Sequence, residues 1–190
     1  MCGRYEFSLD PVDEKMKAIV SMMDRRYPGS YKTGEIFPGD TVPGLIAQQG
    51  KIVPIPAVFG IPGIRDGKLL INARSETADR KRTFSDSLRR RRIILPASGF
   101  YEWSHDGQKS KYRFTGDRPT LYLCGLYSVT DGQCRFVVLT RAANASMAEV
   151  HDRMPVLVSE TEVRPYLTDY RFACGLLAGT APELNRELTR

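Results

Sequence analysis

From Tyr27 to Gly67 the chain never runs apolar for long enough to make a helix. Prolines and glycines cut each apolar run short, as in EIFPGDTVPGLIAQ and KIVPIPAVFGIPG. Proline lacks the amide hydrogen that a helix interior or a central strand needs, and glycine favours turns. The stretch therefore reads as short strands separated by turns, with proline at strand edges or ends. LLINAR (69–74) reads as a buried strand that finishes on polar residues. RIILPASGFYEW reads as a strand, a turn and a returning strand. KYRFTG, TLYLCGLYSVT and CRFVVLT have the β-branched and aromatic content of strands, and DGQ between the last two is a hairpin signal.

Helical patterns are few. LDPVDEKMKAIVSMMDRRY starts with Asp10 as N-cap and Pro11 at the first helical position, and Asp13 and Glu14 favour its positive end. Val12, Met16, Ile19, Val20 and Met23 form its apolar stripe, which reads as core. SETADRKRTFSDSLRR reads as one helix with Phe84 and Leu88 four apart on its inner face. SETEVRPYL carries a capping box at Ser159 and Glu162. The expected architecture is a single α+β domain over residues 1–190, strand-rich with peripheral helices.

The charged fraction of 26% and hydrophobic fraction of 42% fit a soluble globular chain, and no apolar run is long enough to span a bilayer. The start lacks the apolar segment of a secretory signal, so the expected location is cytoplasmic, nucleoid-associated if bacterial. Four cysteines without C-x-x-C spacing, beside only two histidines, argue against structural zinc and a disulfide framework. Cys124 and Cys174 sit in apolar stretches and read as buried small hydrophobes. A net charge of +6 favours an anionic partner. Seven of the 28 basic residues lie in DRKRTFSDSLRRRR (79–92), either a solvated helix face or a phosphate-contacting rim.

Four stretches are out of place in a mere scaffold: MCGR, INARSET, PASGFYEW and HDRMP. Each sets polar residues on constrained backbone at the end of an apolar segment, where loops held by a rigid frame carry chemistry. Together with GEIFP and LTRAAN, in this order along nearly the whole chain, they resemble the SOS response-associated peptidase (SRAP) family. The resemblance implies a β-rich α+β domain with a curved, partly barrel-like sheet and peripheral helices. It also implies a protein that binds single-stranded DNA and captures abasic sites covalently through Cys2, as a thiazolidine, in the DNA damage response. It implies no cofactor, no metal and no membrane, and a monomer is the expected state.

The chemistry explains position 2. Removal of Met1 would leave Cys2 with an α-amine and a thiol on neighbouring carbons, able to close a five-membered ring on an aldehyde. An internal cysteine has only an amide nitrogen. The α-amine titrates near pH 7.7–8.0, so roughly a tenth of it is neutral at pH 7. By the same resemblance Glu102 is the proton-moving carboxyl, able also to support reversal or strand scission, and Phe100, Tyr101 and Trp103 are expected to pack around it and raise its pKa. His151 donates a proton to the sugar oxygen, and Asn72 positions the reacting centre. Arg4, Arg74, Arg82 and Thr140 match DNA contacts, and Pro38 matches a residue that helps wedge the strands apart. His105 is read as an ordinary surface residue. The chain departs from many relatives at Phe59-Gly60, where they have Trp-Gly, and at Ile93, read as core. With the motif assigned, Arg89–Arg92 reads more like an electrostatic approach surface. Two other readings stand: an N-terminal cysteine (auto)peptidase, and a non-covalent reader of single-stranded DNA or a modified base.

Overall fold

The texture read from the sequence becomes fifteen short strands and six helices among residues 2–9, 13–63, 67–105 and 107–189, which the computed structural model describes. The strands are β1 (Arg4–Phe7), β2 (Gly34–Ile36), β3 (Thr41–Gln48), β4 (Lys51–Phe59), β5 (Ile61–Pro62), β6 (Leu69–Leu70), β7 (Asn72–Arg74) and β8 (Arg92–Ala97). They continue as β9 (Gly99–Trp103), β10 (Lys111–Thr115), β11 (Leu121–Thr130), β12 (Gln133–Ala142), β13 (Arg153–Pro155), β14 (Leu157–Val158) and β15 (Asn185–Leu188). The helices are α1 (Glu14–Arg26), α2 (Ser75–Ala78), α3 (Ser85–Arg90), α4 (Ala145–Ala148), α5 (Glu160–Thr168) and α6 (Tyr170–Ala178).

Five strands close into a ring: β12 pairs with β4, β4 with β3, β3 with β8, β8 with β11, and β11 again with β12. This is the curved, barrel-like sheet that was expected. The β11–β12 hairpin turns at Asp131 and Gly132, both at positive φ, as its DGQ signal requires. The β12–β4 seam is parallel and only two residue pairs long, Arg135–Val58 and Phe136–Phe59. Pro54 and Pro56 lie in the part of β4 that β12 does not reach, so they sit on an open edge within the strand.

A second sheet, in the order β15-β10-β9-β1-β2, lies against one face of the ring. Ile93, Leu95, Leu123, Phe136 and Val138 of the ring share a core cluster with Cys2, Tyr5, Phe7, Phe100 and Phe114 of this sheet. The alternate residues, among them Ile94, Cys124, Val137 and Leu139, pack against helix residues such as Ile19, Met23, Leu88, Val163 and Tyr166. Ring strands are thus covered on both faces, which is why RIILPA is buried throughout. At Gly125 the fit is so close that a Cβ would stand 2.7 Å from the Val137 carbonyl oxygen.

Helix α1 is capped by Asp13, whose carboxylate accepts from the Met16 amide at 2.7 Å. The cap expected at Asp10, with Pro11 and Val12, lies outside the described residues. The single helix expected over residues 75–90 is instead two, α2 and α3. Ala78 and Phe84 are both buried in the same cluster. In one continuous helix they would point about 120° apart, so the break turns both inward. Helix α6 was not foreseen.

Arg92 ties the helices to the ring. It is 6% exposed and spends its guanidinium on backbone carbonyls. Its Nε donates to Tyr166 and Nη2 to Leu167, at 2.6 and 2.9 Å, and Nη1 donates to Leu88 and Arg89 at 2.7 and 2.6 Å. The ends of α3 and α5, which have carbonyls without intrahelical partners, are both satisfied by this one side chain. Arg90 and Arg91 pair with Asp86, and Arg89 lies over the Tyr170 ring. Arg92 is therefore structural, whereas Arg89 and Arg90 stay exposed at the surface. Arg92→Leu is expected to lower the unfolding free energy by about 3 kcal/mol, because buried carbonyls lose a charged donor. Arg89→Leu is expected to change it by less than about 0.5 kcal/mol. Urea unfolding compares them; equal losses would show that the Arg92 contacts contribute little.

Candidate active site

Three of the four expected catalytic residues converge where β1 runs beside β9. Tyr5 stands opposite Phe100 and Arg4 opposite Tyr101. Cys2 lies two residues before β1, at the end of the strand where Arg4 faces Tyr101, next to Glu102 in β9. Side chains alternate across a strand, so Glu102 and Phe100 share the inner face of the sheet. Tyr112 and Phe114, their partners on β10, share it too, and Phe114 stacks on Phe100 at 5.2 Å. Tyr101 and Trp103 point the other way, so the expectation that they pack around Glu102 is corrected for these two; Phe100 and Tyr112 are its neighbours on the inner face.

Cys2 has no exposed surface, and Glu102 and His151 are 4% and 8% exposed. Burial raises the Glu102 carboxyl to about 7. Burial, followed by the nearby Glu102 charge, pushes the Cys2 thiol far above its ordinary range. Burial acts oppositely on His151 and lowers its pKa, because its charged form is the protonated one. His151 Nε2 lies 4.0 Å from Glu102 Oε2. The Arg153 amide donates to His151 Nδ1 at 2.9 Å, which leaves the proton of the neutral ring on Nε2, towards Glu102. Asp152 Oδ1 is also 3.0 Å from Nδ1 and becomes its partner only when that nitrogen is protonated.

His105 is exposed yet packs edge-on against the His151 ring, 4.6 Å between centroids. It is a wall of the site rather than the ordinary surface residue expected. The Arg153 side chain fixes the loop below. It forks onto Glu76 at 2.6 and 2.9 Å and donates to the Thr140 carbonyl at 2.7 Å. Those hydrogen bonds hold the Glu76 carboxyl down at about 2. Asn72, on β7 beside Val138 of β12, has both amide atoms buried without a hydrogen-bond partner among the described residues.

The expected DNA contacts divide by position. Arg4 lies on the outer face, donating to Glu35 at 2.9 Å, with its guanidinium 3.7 Å over Phe37 and 5.2 Å from Trp103. Lys111 joins the same group, 2.6 Å from Glu35 and 4.1 Å over Tyr101. Pro38 is exposed in a turn that Gly39 permits with φ 96°, closed by the Asp40 amide on the Phe37 carbonyl at 3.0 Å. Arg74 and Arg82 are exposed. Thr140 has no exposed surface, and its contacts run to Arg153. Phe59 packs rather than presenting a ring to solvent: it is fully buried, stacked on Phe136 at 5.0 Å. Phe37, Trp103 and Lys111 were missed, although Phe37 adjoins Pro38 and Trp103 adjoins Glu102 in the sequence. A cleft of about 750 Å³ near the starts of α1 and α5 is lined by none of the expected site residues.

A family model described as SOS response associated peptidase (SRAP) matches residues 1–179. The abasic site processing protein YedK of Escherichia coli (strain K12) is 27% identical over 179 residues, 88% of this chain and 79% of that protein. The abasic site processing protein YobE of Bacillus subtilis (strain 168) is 32% identical over 182 residues, 88% of this chain and 82% of that one. A crystal structure of a protein from Bordetella bronchiseptica has the same fold, with a TM-score of 0.77 at 20% identity and complete coverage of both chains.

The raised pKa of Glu102 ties stability to pH. Stability associated with its protonated form is fully present below the unfolded-chain value near 4.3 and is lost as pH rises through about 7. Glu102→Gln is therefore expected to gain stability relative to the unsubstituted protein between pH 4.5 and 8, on the order of 3 kcal/mol at the upper end. Urea unfolding at both pH values measures it; a difference independent of pH would show an unperturbed carboxyl.

Proposed function

Because the chain belongs to the SOS response associated peptidase family, we propose that it processes abasic sites by covalent capture on single-stranded DNA. The observation that carries this reading is the convergence of buried Cys2, Glu102 and His151 at the N-terminal end of β1. The names of the YedK and YobE relatives support the abasic-site role.

The reaction starts when Met1 is removed and the Cys2 nitrogen becomes an amine. The abasic deoxyribose opens to its aldehyde as the Glu102 group takes the proton of the C1 hydroxyl and returns one to the ring oxygen, to which His151 Nε2–H donates a hydrogen bond. The amine attacks the carbonyl carbon and passes one proton to its oxygen, and the Glu102 carboxyl supplies the proton with which water leaves, giving a protonated imine and the Glu102 carboxylate. The thiol then adds across the C=N bond. Its proton passes to the Glu102 carboxylate, and as the carbon–sulfur bond forms the nitrogen keeps its hydrogen and loses its positive charge. The product is a thiazolidine, and the carboxyl ends as it began. The Asn72 amide is available to hold the substrate. The DNA strand would lie along Arg4, Phe37, Pro38, Trp103 and Lys111, where aromatic faces stack bases and cations meet phosphates.

Met1-free protein mixed with an abasic single-stranded oligonucleotide is expected to give a shifted band on denaturing electrophoresis without borohydride. Cys2→Ala, Cys2→Ser and protein retaining Met1 should give no such stable band, and Glu102→Gln should slow its formation about a hundredfold or more. Absence of the band, with the free amine verified by mass spectrometry, would reject capture. Salt-dependent binding that survives Cys2→Ala would then favour the non-covalent reader.

A further inference from the structure

Tyr5 has a polar atom that neither the fold nor the reaction as written uses. Its side chain is fully buried, and its hydroxyl has no hydrogen-bond partner among the described residues. A phenylalanine would fill the same space, with its edge on Phe59 and its face in the core cluster that also holds Cys2 and Phe100, without burying a hydroxyl. Buried hydroxyls normally find a partner, so one left over next to reactive groups points to a partner that arrives with the reaction.

The ladder says where that partner is. Tyr5 stands directly opposite Phe100, and Glu102 is two residues further along the same face, a diagonal neighbour of Tyr5. Cys2 lies three residues before Tyr5 at the same end of the strand, near enough for a thiolate there to oppose ionisation of the phenol. Burial comes first among the causes that keep that phenol protonated, followed by the charges of Cys2 and Asp40. Tyr5 is thus a donor that holds its proton beside a thiol whose charged form the same burial disfavours.

We propose that the Tyr5 hydroxyl is a further catalytic group, donating a hydrogen bond to Cys2 Sγ as the thiol ionises to close the ring. This rests on the capture reading and deepens its second step. The thiol proton still goes to Glu102, the carbon–sulfur bond still forms at the imine carbon, and Tyr5 retains its own proton throughout. Amine attack, the first step, does not involve sulfur and does not depend on Tyr5.

The test uses Met1-free protein, wild type and Tyr5→Phe, with acetaldehyde as a DNA-free probe and an abasic single-stranded oligonucleotide in parallel. Intact mass with and without borohydride separates the reducible imine from the closed ring. Tyr5→Phe is expected to form imine at the wild-type rate, to accumulate it, and to close the ring about tenfold more slowly with both probes. Its melting temperature is expected to stay equal or rise, since a buried hydroxyl has been removed. An unchanged closure rate with acetaldehyde overturns the proposal, and so does a melting temperature lowered by several degrees, which would make the hydroxyl structural. Slowed closure with acetaldehyde, while wild type fails to crosslink DNA, would keep the role of Tyr5 and remove the abasic-site reading.

Discussion

The pairing of β1 between β2 and β9 turns a chain terminus into an interior position. Terminal residues normally fray unless a strand or helix ties them down. Here Tyr5 and Phe7 are fully buried and β1 is hydrogen-bonded along both edges, and Cys2, two residues before the strand, has no exposed surface. The closed ring supplies the apolar wall against which this sheet rests. The fold therefore places Cys2 beside Glu102 by main-chain register, without a loop whose conformation would have to be selected.

Burial then sets the acid–base balance with a single cause acting in two directions. A carboxyl is charged when it loses its proton and an imidazole when it gains one, so the same desolvation raises Glu102 and lowers His151. Near pH 7 the pair is poised between a protonated carboxyl beside a neutral ring and the ionised alternative. A carboxyl that titrates near the working pH can serve as acid and as base within one cycle. The Glu76–Arg153 fork keeps this balance in place from below, because the amide of the same Arg153 fixes the His151 tautomer.

Much of this was legible in the sequence. The motifs named Cys2, Glu102 and His151, and the texture of short interrupted runs gave a strand-rich domain. What was not legible depended on partners far along the chain. The side of the sheet on which Trp103 falls follows from strand alternation, but the motif suggested that GFYEW would wrap its own glutamate. Arg92 looked like one of four equivalent charges, yet its acceptors at Tyr166 and Leu167 lie 74 and 75 residues away. The split of residues 75–90 into α2 and α3 similarly answers a packing need, to bury Ala78 and Phe84 together, that a local helical pattern does not express. Tyr5 was invisible for a different reason: an apolar-looking position in an alternating strand gives no sign that its hydroxyl will lack a partner.

Under the capture reading, removal of Met1 does more than expose a nucleophile. An α-amine ordinarily titrates at 7.7–8.0, and placing it in a buried site lowers that value. Glu102 is raised to about 7 by the same surroundings. Two groups with converging affinities would share a proton between them, and the sharing favours the neutral pair as water is excluded. That state holds a neutral amine able to attack and a protonated carboxyl able to release water, the two things imine formation needs together. With Met1 attached, the nitrogen is an amide and cannot take part in the exchange. The cut would then arm the site electrostatically as well as covalently, because it gives the buried Glu102 carboxyl, already beside His151, a titrating amine at Cys2 with which to share a proton.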